Sequence, residues 1–518
     1  MATAQRMIKN LYRDSVSLMQ LSEKVRVLDG IRHASAVMAS ENNITLLLEA
    51  GLLSQAVPPS PNDLIIVVEG ENAASVDAAL DQAESMLTAR SSNSGDSGVR
   101  SVLPRSIEMG LEYLPSANFV LISTPGEYAA AEARKALQLG LHVMMFSDNV
   151  SMEEEISLKQ YARAHNLLVM GPDCGTAIIN GVSLGFANVV SKGDIGVVAA
   201  SGTGLQEVTC LIDRLGGGIT QAIGTGGHDL RSEVGGITML QGIQALAVDP
   251  RTRVILLVSK PPSPDVMEKV LVKAGESGKP VVVIFIGTDP ASVTHGNILC
   301  VKTLEDAAVA AVKFSKGKKV GKFSNSLPAR YAVLAKPTAR KLKKTQKYVR
   351  ALFSGGTFCY ENLLLMSEML GGIYSNVPLQ KEHKLKDVWK SKEHTAIDLG
   401  DDLFTQGRPH PMIDFRLRNE RIIQEAKDPF TAVILLDVML GHGSNMNPAG
   451  ELVPAILQAK KVAAKAKRDI IFVGFVCGTK ADPQKLAVQQ EMLRGAGVIL
   501  TESNAQAARL AAAIVNGR

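Results

Sequence analysis

The chain of 518 residues has no long apolar run. Its most hydrophobic stretches, such as Val281–Ile286 and Val433–Leu436, fall far short of the ~20 residues that a spanning helix needs, so no membrane partner is expected. Near the N-terminus, Arg6, Lys9 and Arg13 stand without an apolar h-region or a small-residue cleavage site, which argues against a secretory signal and for a cytoplasmic protein. Cysteine is scarce: Cys174, Cys210, Cys300, Cys359 and Cys477 are scattered, with no Cys-x-x-Cys and no Cys/His pairing at zinc spacing. Neither a disulfide framework nor a structural metal is implied.

Charge of one sign is also missing from the body of the chain. The net charge of +5 is local, because residues 316–347 hold eleven Lys and Arg and no acid; removing these eleven leaves 45 bases against 51 acids. An acidic globular body with one basic, solvated linker broken by Gly317, Gly321, Pro328 and Pro337 is expected, without a nucleic-acid partner.

With 46% apolar residues, a chain of this length should build several domains. A strand-like Met7–Tyr12, a helix from Asp14 to Val27, strands at Ala34–Met38 and Leu64–Glu69 and a helix at Ala74–Leu87 read as a small βαβ-type α/β domain over 1–92. Ser91–Gly98 reads as a flexible linker. From 105 to 190 strands alternate with helices (Phe119–Ser123, Tyr128–Leu139, His142–Phe146, Met152–Ala164, Leu167–Met170), which implies a parallel, Rossmann-like sheet of the CoA-binding type. Its first turn is Ser123-Thr124-Pro125-Gly126 and lacks the Gly-x-Gly-x-x-Gly fingerprint, which argues against a nicotinamide dehydrogenase.

An internal repeat organises the remainder. Asp249-Pro-Arg-Thr-Arg-Val-Ile-Leu-Leu257 and Asp428-Pro-Phe-Thr-Ala-Val-Ile-Leu-Leu436 agree at seven of nine positions. Flanking elements recur in order: Ser201-Gly202 and Ser354-Gly355 after a strand, then Ile223-Gly224-Thr225-Gly226-Gly227 and Ile397-Asp398-Leu399-Gly400-Asp401. Two flavodoxin-like, doubly wound domains, 191–315 and 348–518, are expected on either side of the linker 316–347.

The strand-to-helix loops Ser201-Gly202-Thr203-Gly204 and Ser354-Gly355-Gly356-Thr357 should point backbone N–H groups and a positive dipole end at an oxyanion, with Gly226 and Gly227 beside the first. Two facing copies would share one anionic ligand. A second cluster, Asp398 to Asp402 followed by Arg408, His410 and Arg418, offers a carboxylate or phosphate site with His410 as acid or base. Asp401 and Asp402 could hold Mg²⁺, although no ligand spacing demands it.

Gly171-Pro-Asp173-Cys174-Gly-Thr-Ala-Ile-Ile-Asn180, Ser201-Gly-Thr203 and Ile223 to Asp229 resemble the succinyl-CoA synthetase α subunit; the half from Val349 resembles the carboxy-terminal domain of its β subunit, without the ATP-grasp domain. End to end the chain resembles the FdrA proteins, from Asp14-Ser-Val-Ser-Leu-Met19 through Met144–Asn149 and Gly171–Thr176 to Gly407-Arg-Pro-His-Pro-Met-Ile-Asp414, with Phe415 where that family has proline. The resemblance implies an enzyme subunit that works with partner subunits in a homo- or hetero-oligomer. It also implies carbamoyl phosphate or another acyl phosphate as substrate, with coenzyme A possible. The implied reaction joins oxamate and carbamoyl phosphate, giving oxalurate and phosphate, in allantoin breakdown.

Departures from succinyl-CoA synthetase bear on mechanism. In place of its Gly-His-Ala-Gly loop stands Thr288-Asp-Pro-Ala-Ser-Val-Thr-His295-Gly, and Lys260 stands where a glutamate would hold the phosphohistidine. Direct transfer is therefore expected, with Ser201, Gly202, Thr203 and Lys260 on phosphate, Arg408 on a carboxylate, and Asp173, Cys174, Asp401, Asp402 and Arg418 near the substrate. Cys174 reads as a packed small residue and His295 as a surface histidine.

Overall fold

The computed structural model describes residues 2–11, 13, 15–40, 43, 44, 47, 48, 52, 53, 58, 60–88, 104–405 and 408–517. The proposed linker Ser91–Gly98 lies outside them. The chain divides into two units, Met1–Arg105 with Gln406–Pro409, and Ser106–Thr405 with His410–Arg518.

In the first unit, β1 (Ala2–Ile8), β2 (Ile31–Ala39) and β3 (Ser60–Gly70) form a sheet in the order β1-β3-β2, antiparallel throughout. The first strand begins five residues earlier than the sequence reading placed it, and the expected βαβ unit is split by β3, which inserts between its two strands. Alternation explains why: Leu64, Ile66 and Val68 of β3 face Leu18, Leu21, Val76 and Leu80 of the helices Ser15–Arg26 and Ala73–Thr88, while Ile65 and Val67 face Ile44, Leu47 and Leu53. Being buried on both faces, β3 takes the central position.

The second unit holds three sheets. β4 (Phe119–Ile122), β5 (His142–Met145) and β6 (Val169–Met170) are parallel and carry the helices Gly126–Gln138 and Met152–Ala164. The latter starts where expected because Ser151 and Glu154 form a reciprocal capping box. Next come β7 (Thr176–Ile179), β8 (Val182–Gly185), β9 (Lys192–Ala199), β10 (Ile219–Gly224), β11 (Val254–Ser259), β12 (Val281–Phe285) and β13 (Ile298–Cys300), in the order β13-β12-β11-β9-β10-β7-β8. The hairpin β7–β8, assigned from sequence to the 105–190 segment, thus pairs with the following sheet. The third sheet is β15-β16-β14-β17-β18-β19, with β14 (Tyr348–Phe353), β15 (Tyr374–Ser375), β16 (Thr395–Asp398), β17 (Thr431–Met439), β18 (Ile471–Cys477) and β19 (Val498–Thr501).

Set aside the hairpin and the short β15, and both sheets run second-first-third-fourth-fifth in chain order, the flavodoxin-like order. The matched segments become the third strands, β11 and β17, each buried along its whole length. One apolar core joins the copies through the helices Gly202–Arg214, Leu304–Ser315, Gly356–Leu370 and Asn504–Asn516, which carry Leu205, Val208, Ala307, Phe358 and Leu510. The basic segment 316–347 is not a plain solvated connector. Its helix Ala329–Ala339 places Tyr331, Ala335 and Ala339 in this core and leaves Lys336 exposed, because an amphipathic helix buries one face and keeps its charged heads in water.

Candidate functional site

At the carboxyl ends of the first and second central strands the two copies meet. Ser201 caps the helix Gly202–Arg214, its Oγ accepting from Gly204 N at 2.9 Å, and the same oxygen lies 2.6 Å from Thr357 Oγ1 in the other copy. A Cβ at Gly355 would sit 2.7 Å from Thr203 Cγ2, so glycine is what lets the two loops touch. The structural register differs by one residue from the sequence repeat: Ser201 and Gly355 are the two N-caps, and Ser354 occupies the place of Ala200.

That shift redirects Ser354. It is buried, and both its N–H (2.9 Å) and Oγ (2.5 Å) donate to Asp437 on β17, which also accepts from Arg418 Nη2 at 2.6 Å. Arg418 is 1% exposed and Asp437 fully buried; this guanidinium is a partner of Asp437 inside the protein and does not face the site. Sequence reasoning missed Asp437, although an acid inside the otherwise apolar run Val433–Met439, where the first copy has Val258, was a signal.

Asp398, read from sequence only as the start of the Asp398–Asp402 cluster, is the last residue of β16. Its Oδ2 would lie 2.5 Å from a Cβ at Gly356, placing the carboxylate against the start of the helix Gly356–Leu370, and its Oδ1 accepts from Gly400 N at 3.0 Å. Burial pushes its pKa up to about 6, against the pull of Lys260. Lys260 follows β11, is exposed, and stands 5.6 Å from the ring centroid of Tyr360 in the second copy. His410 Nε2 would lie 3.1 Å from a Cβ at Gly400, and Asp398 Oδ1 3.3 Å from the same point. Met412 N donates to His410 Nδ1 at 3.2 Å, which puts the ring proton on Nε2; burial pushes the imidazole down to about 4, so it is neutral at pH 7. Phe186, just after β8, packs on His410 with ring centroids 5.4 Å apart.

Gly226 and Gly227 border the same crest. A Cβ at Gly226, whose φ is +85°, would strike Pro172 O at 2.2 Å, while Gly227 faces Asp173 Oδ2 at 3.4 Å. Desolvation pushes Asp173 up to about 6, with Asp148 and Asp402 adding like-charge repulsion, although the side chain keeps an exposed edge. Asp402 is exposed and raised in turn by desolvation and by Asp148 and Asp401. Asp173 and Asp402 therefore make this edge acidic, while Lys260 offsets the charge of Asp398. Cys174 is fully buried, its thiol pushed up to about 12 by burial and its Sγ 3.6 Å from Thr176 O, which makes it a packing residue and not a thiolate. His295 is exposed, with Nδ1 2.7 Å from Val293 O. Arg408 is exposed and belongs to the first unit, so it is not among the residues that the second unit brings together. Among the described residues no group of three or more His, Cys, Asp and Glu is arranged to hold a metal.

A second polar cluster, not foreseen, ties the Rossmann-like layer to the first copy. Lys159 Nζ donates to Glu155 (2.8 Å), Asp229 (2.8 Å) and Thr225 O (3.0 Å), and His228 Nδ1 lies 3.4 Å from Glu155.

Against proteins of known sequence, the chain is 43% identical over 503 residues to the uncharacterized protein YahF of Escherichia coli (strain K12), covering 97% of this chain and 96% of that protein. The chain belongs to the YahF family. Family descriptions fall on three segments of this chain: "AllF, heavy metal-associated domain" on 1–102, "CoA binding domain" on 190–287 and "CoA-ligase" on 352–514. The last two coincide with the two copies, so the chain carries succinyl-CoA synthetase-like domains; the CoA-binding description lies on the first copy, beyond the 105–190 segment. The ADP-forming succinate–CoA ligase subunit alpha of Aquifex aeolicus (strain VF5) is 24% identical over 52% of this chain and 78% of its own. Among solved structures, the dinucleotide-forming acetyl-coenzyme A synthetase 1 of Ca. Korarchaeum cryptofilum aligns over 77% of this chain and 82% of its own, with 14% identity and a TM-score of 0.31.

The turn Thr124–Gly126 opens the helix Gly126–Gln138. A Cβ at Gly126 would lie 2.3 Å from Asp148 O and 2.5 Å from Asn149 O, and Glu127 stands in the first turn of the helix. These carbonyls pack directly on the helix start and leave no room for a side chain at position 126.

Proposed function

We propose that the chain is an FdrA-like subunit of a transferase that uses carbamoyl phosphate or another acyl phosphate directly, with oxamate as the acceptor in allantoin breakdown, and that it acts with partner subunits in the cytoplasm. The observation that carries the reading is the capped, half-exposed helix start at Ser201–Gly204, with the exposed Lys260 at the end of the adjacent strand β11. Ser201, Gly202 and Thr203 hold the phosphoryl oxygens, and Lys260 supplies the positive charge. The amide nitrogen of oxamate attacks the carbamoyl carbon, the C–N bond forms, the C–O bond to phosphate breaks, and the proton leaves the nitrogen toward the carboxylate of Asp398. Lys260 and the dipole of the helix Gly202–Arg214 stabilise the charge that gathers on the departing phosphate. The purified chain with its partners, given carbamoyl phosphate and oxamate, should form oxalurate; no product, or full activity in Lys260→Ala, would reject the reading.

A second reading, acyl-CoA ligation, is favoured by the descriptions that match 190–287 and 352–514. It requires coenzyme A binding with micromolar affinity in calorimetry and a thioester product. Absence of both leaves the transferase.

A further inference from the structure

We infer that Asp398 makes this site select a substrate that presents an N–H₂ group over one that presents a second carboxylate; the inference rests on the transferase reading for the location of the site. Each copy ends its second strand at the crest, the first in Gly224 and the second in Asp398. Gly224 cannot change, since a Cβ there would meet Thr176 O at 2.3 Å and Cys174 Sγ at 2.5 Å. In the second copy the side chain fits and its Oδ2 rests against Gly356, at the helix start that an external anion would need. The second copy therefore fills its own oxyanion position with a carboxylate, and only the first helix start is open to phosphate.

The charged groups around Asp398 are Lys260, Asp401 and Asp437, with His410 close by at Gly400. Asp437 is held by Ser354 and Arg418 and turns inward. Behind a rim of Asp173, Asp401 and Asp402, the site is backed by the buried, acceptor-only carboxylate of Asp398, whose Oδ1 accepts from Gly400 N, and by the neutral imidazole of His410. An amide N–H₂ supplies two donors to such a surface, whereas a carboxylate brings like charge and no proton, which costs several-fold to hundreds-fold in affinity. Oxamate and oxalate differ in this one group.

Calorimetry on the full chain with oxamate and with oxalate at pH 7.5 reads the selectivity. The native chain should bind oxamate at least about tenfold more tightly, and Asp398→Asn, which keeps the volume and loses the charge, should bring the ratio near one. Asp398→Gly, which restores the residue of the first copy, is the second variant should the first misfold. An unchanged ratio in a folded variant, or no preference in the native chain, overturns the inference. Carbamoyl transfer is assayed separately: transfer with an unchanged ratio sinks the inference and leaves the reaction, and a ratio that collapses in the variant without any transfer sinks the reaction.

Independently, the N-terminal unit points to the loss of the soft metal that its family description implies. Residues 1–102 contain no cysteine and a single histidine, His33, whereas soft metals select thiolate and imidazole donors. Among the described side chains, the thioethers of Met7, Met38 and Met86 pack against the two small cores. All five cysteines are buried in the second unit. The donor set does not fit, and we infer that the domain keeps the fold without the metal. After loading with Cu(I) or Zn(II) and dialysis, elemental analysis of the full chain should find less than about 0.1 equivalent. One equivalent that persists when the five cysteines are replaced by alanine overturns this; one that vanishes with the cysteines supports it by placing the metal outside the domain.

Discussion

Ser201 in the first copy and Ser354 in the second stand in similar sequence and do different work. Ser201 is half-exposed, caps its helix and leaves the dipole end open; Ser354 is buried one position earlier and is bound to Asp437, while Asp398 lies over the helix start that follows it. Gene duplication has kept the strand order and the core and has changed what meets at the crest. An open helix start is a receptor, and a filled one is a template that shapes the ligand beside it. The difference teaches that a repeated glycine turn is not a repeated function, because one acid at a strand end reverses its electrostatics.

Four changes would break or sharpen this comparison. The largest effect belongs to Asp437→Ala, which leaves Arg418 buried without its carboxylate and should destabilise the chain by about 3–5 kcal/mol in urea titration. Val258→Ala, at the matching position of the first copy, removes only methyl groups and should cost about 1–2 kcal/mol. Next, Lys260→Ala should lower kcat/KM for carbamoyl transfer about 100-fold with Tm unchanged, since it removes charge aimed at the departing phosphate from a residue that is itself exposed.

The third concerns pH. Asp173 and Asp398 at about 6, and Glu207 and Glu361 at about 7, hold protons in the folded chain that the unfolded chain has released above pH ~4. Folding then becomes less favourable as pH rises from about 4 to 7. His410, pushed down to about 4, works in the opposite sense between pH 4 and its ordinary value near 6.5, but four acids outweigh one base. Asp398→Asn should therefore be more stable than the native chain at pH 8 by about 2 kcal/mol, with the difference fading below pH 4, as thermal melts across pH would record. Last, Ser201→Ala removes an N-cap and should cost about 1 kcal/mol together with a several-fold loss of phosphate affinity; Ser354→Ala should leave phosphate affinity unchanged.

Much of the architecture was legible. The helix Met152–Ala164 has the expected bounds, since its capping box is written in adjacent residues, and the repeat at Asp249 and Asp428 located two third strands in sheets of one order. The site was less legible. The one-residue shift between Ser201 and Ser354 follows from how each loop leaves its strand, which no alignment of Ser-Gly pairs contains. Arg418 was read as a substrate-binding cation, and only the carboxylate of Asp437 makes its burial tolerable. Asp398 and Lys260 are 138 positions apart in sequence and belong to different copies, so their pairing could not be read from either alone.

Local periodicity, turn residues and the repeated motif are properties of neighbouring positions, and these by themselves determined the α/β class and the duplication. Which helix start stays open, which acid turns inward and which faces the ligand depended on contacts between residues far apart along the chain. Burial and charge pairing are properties of three-dimensional neighbourhoods, and only the folded chain creates them.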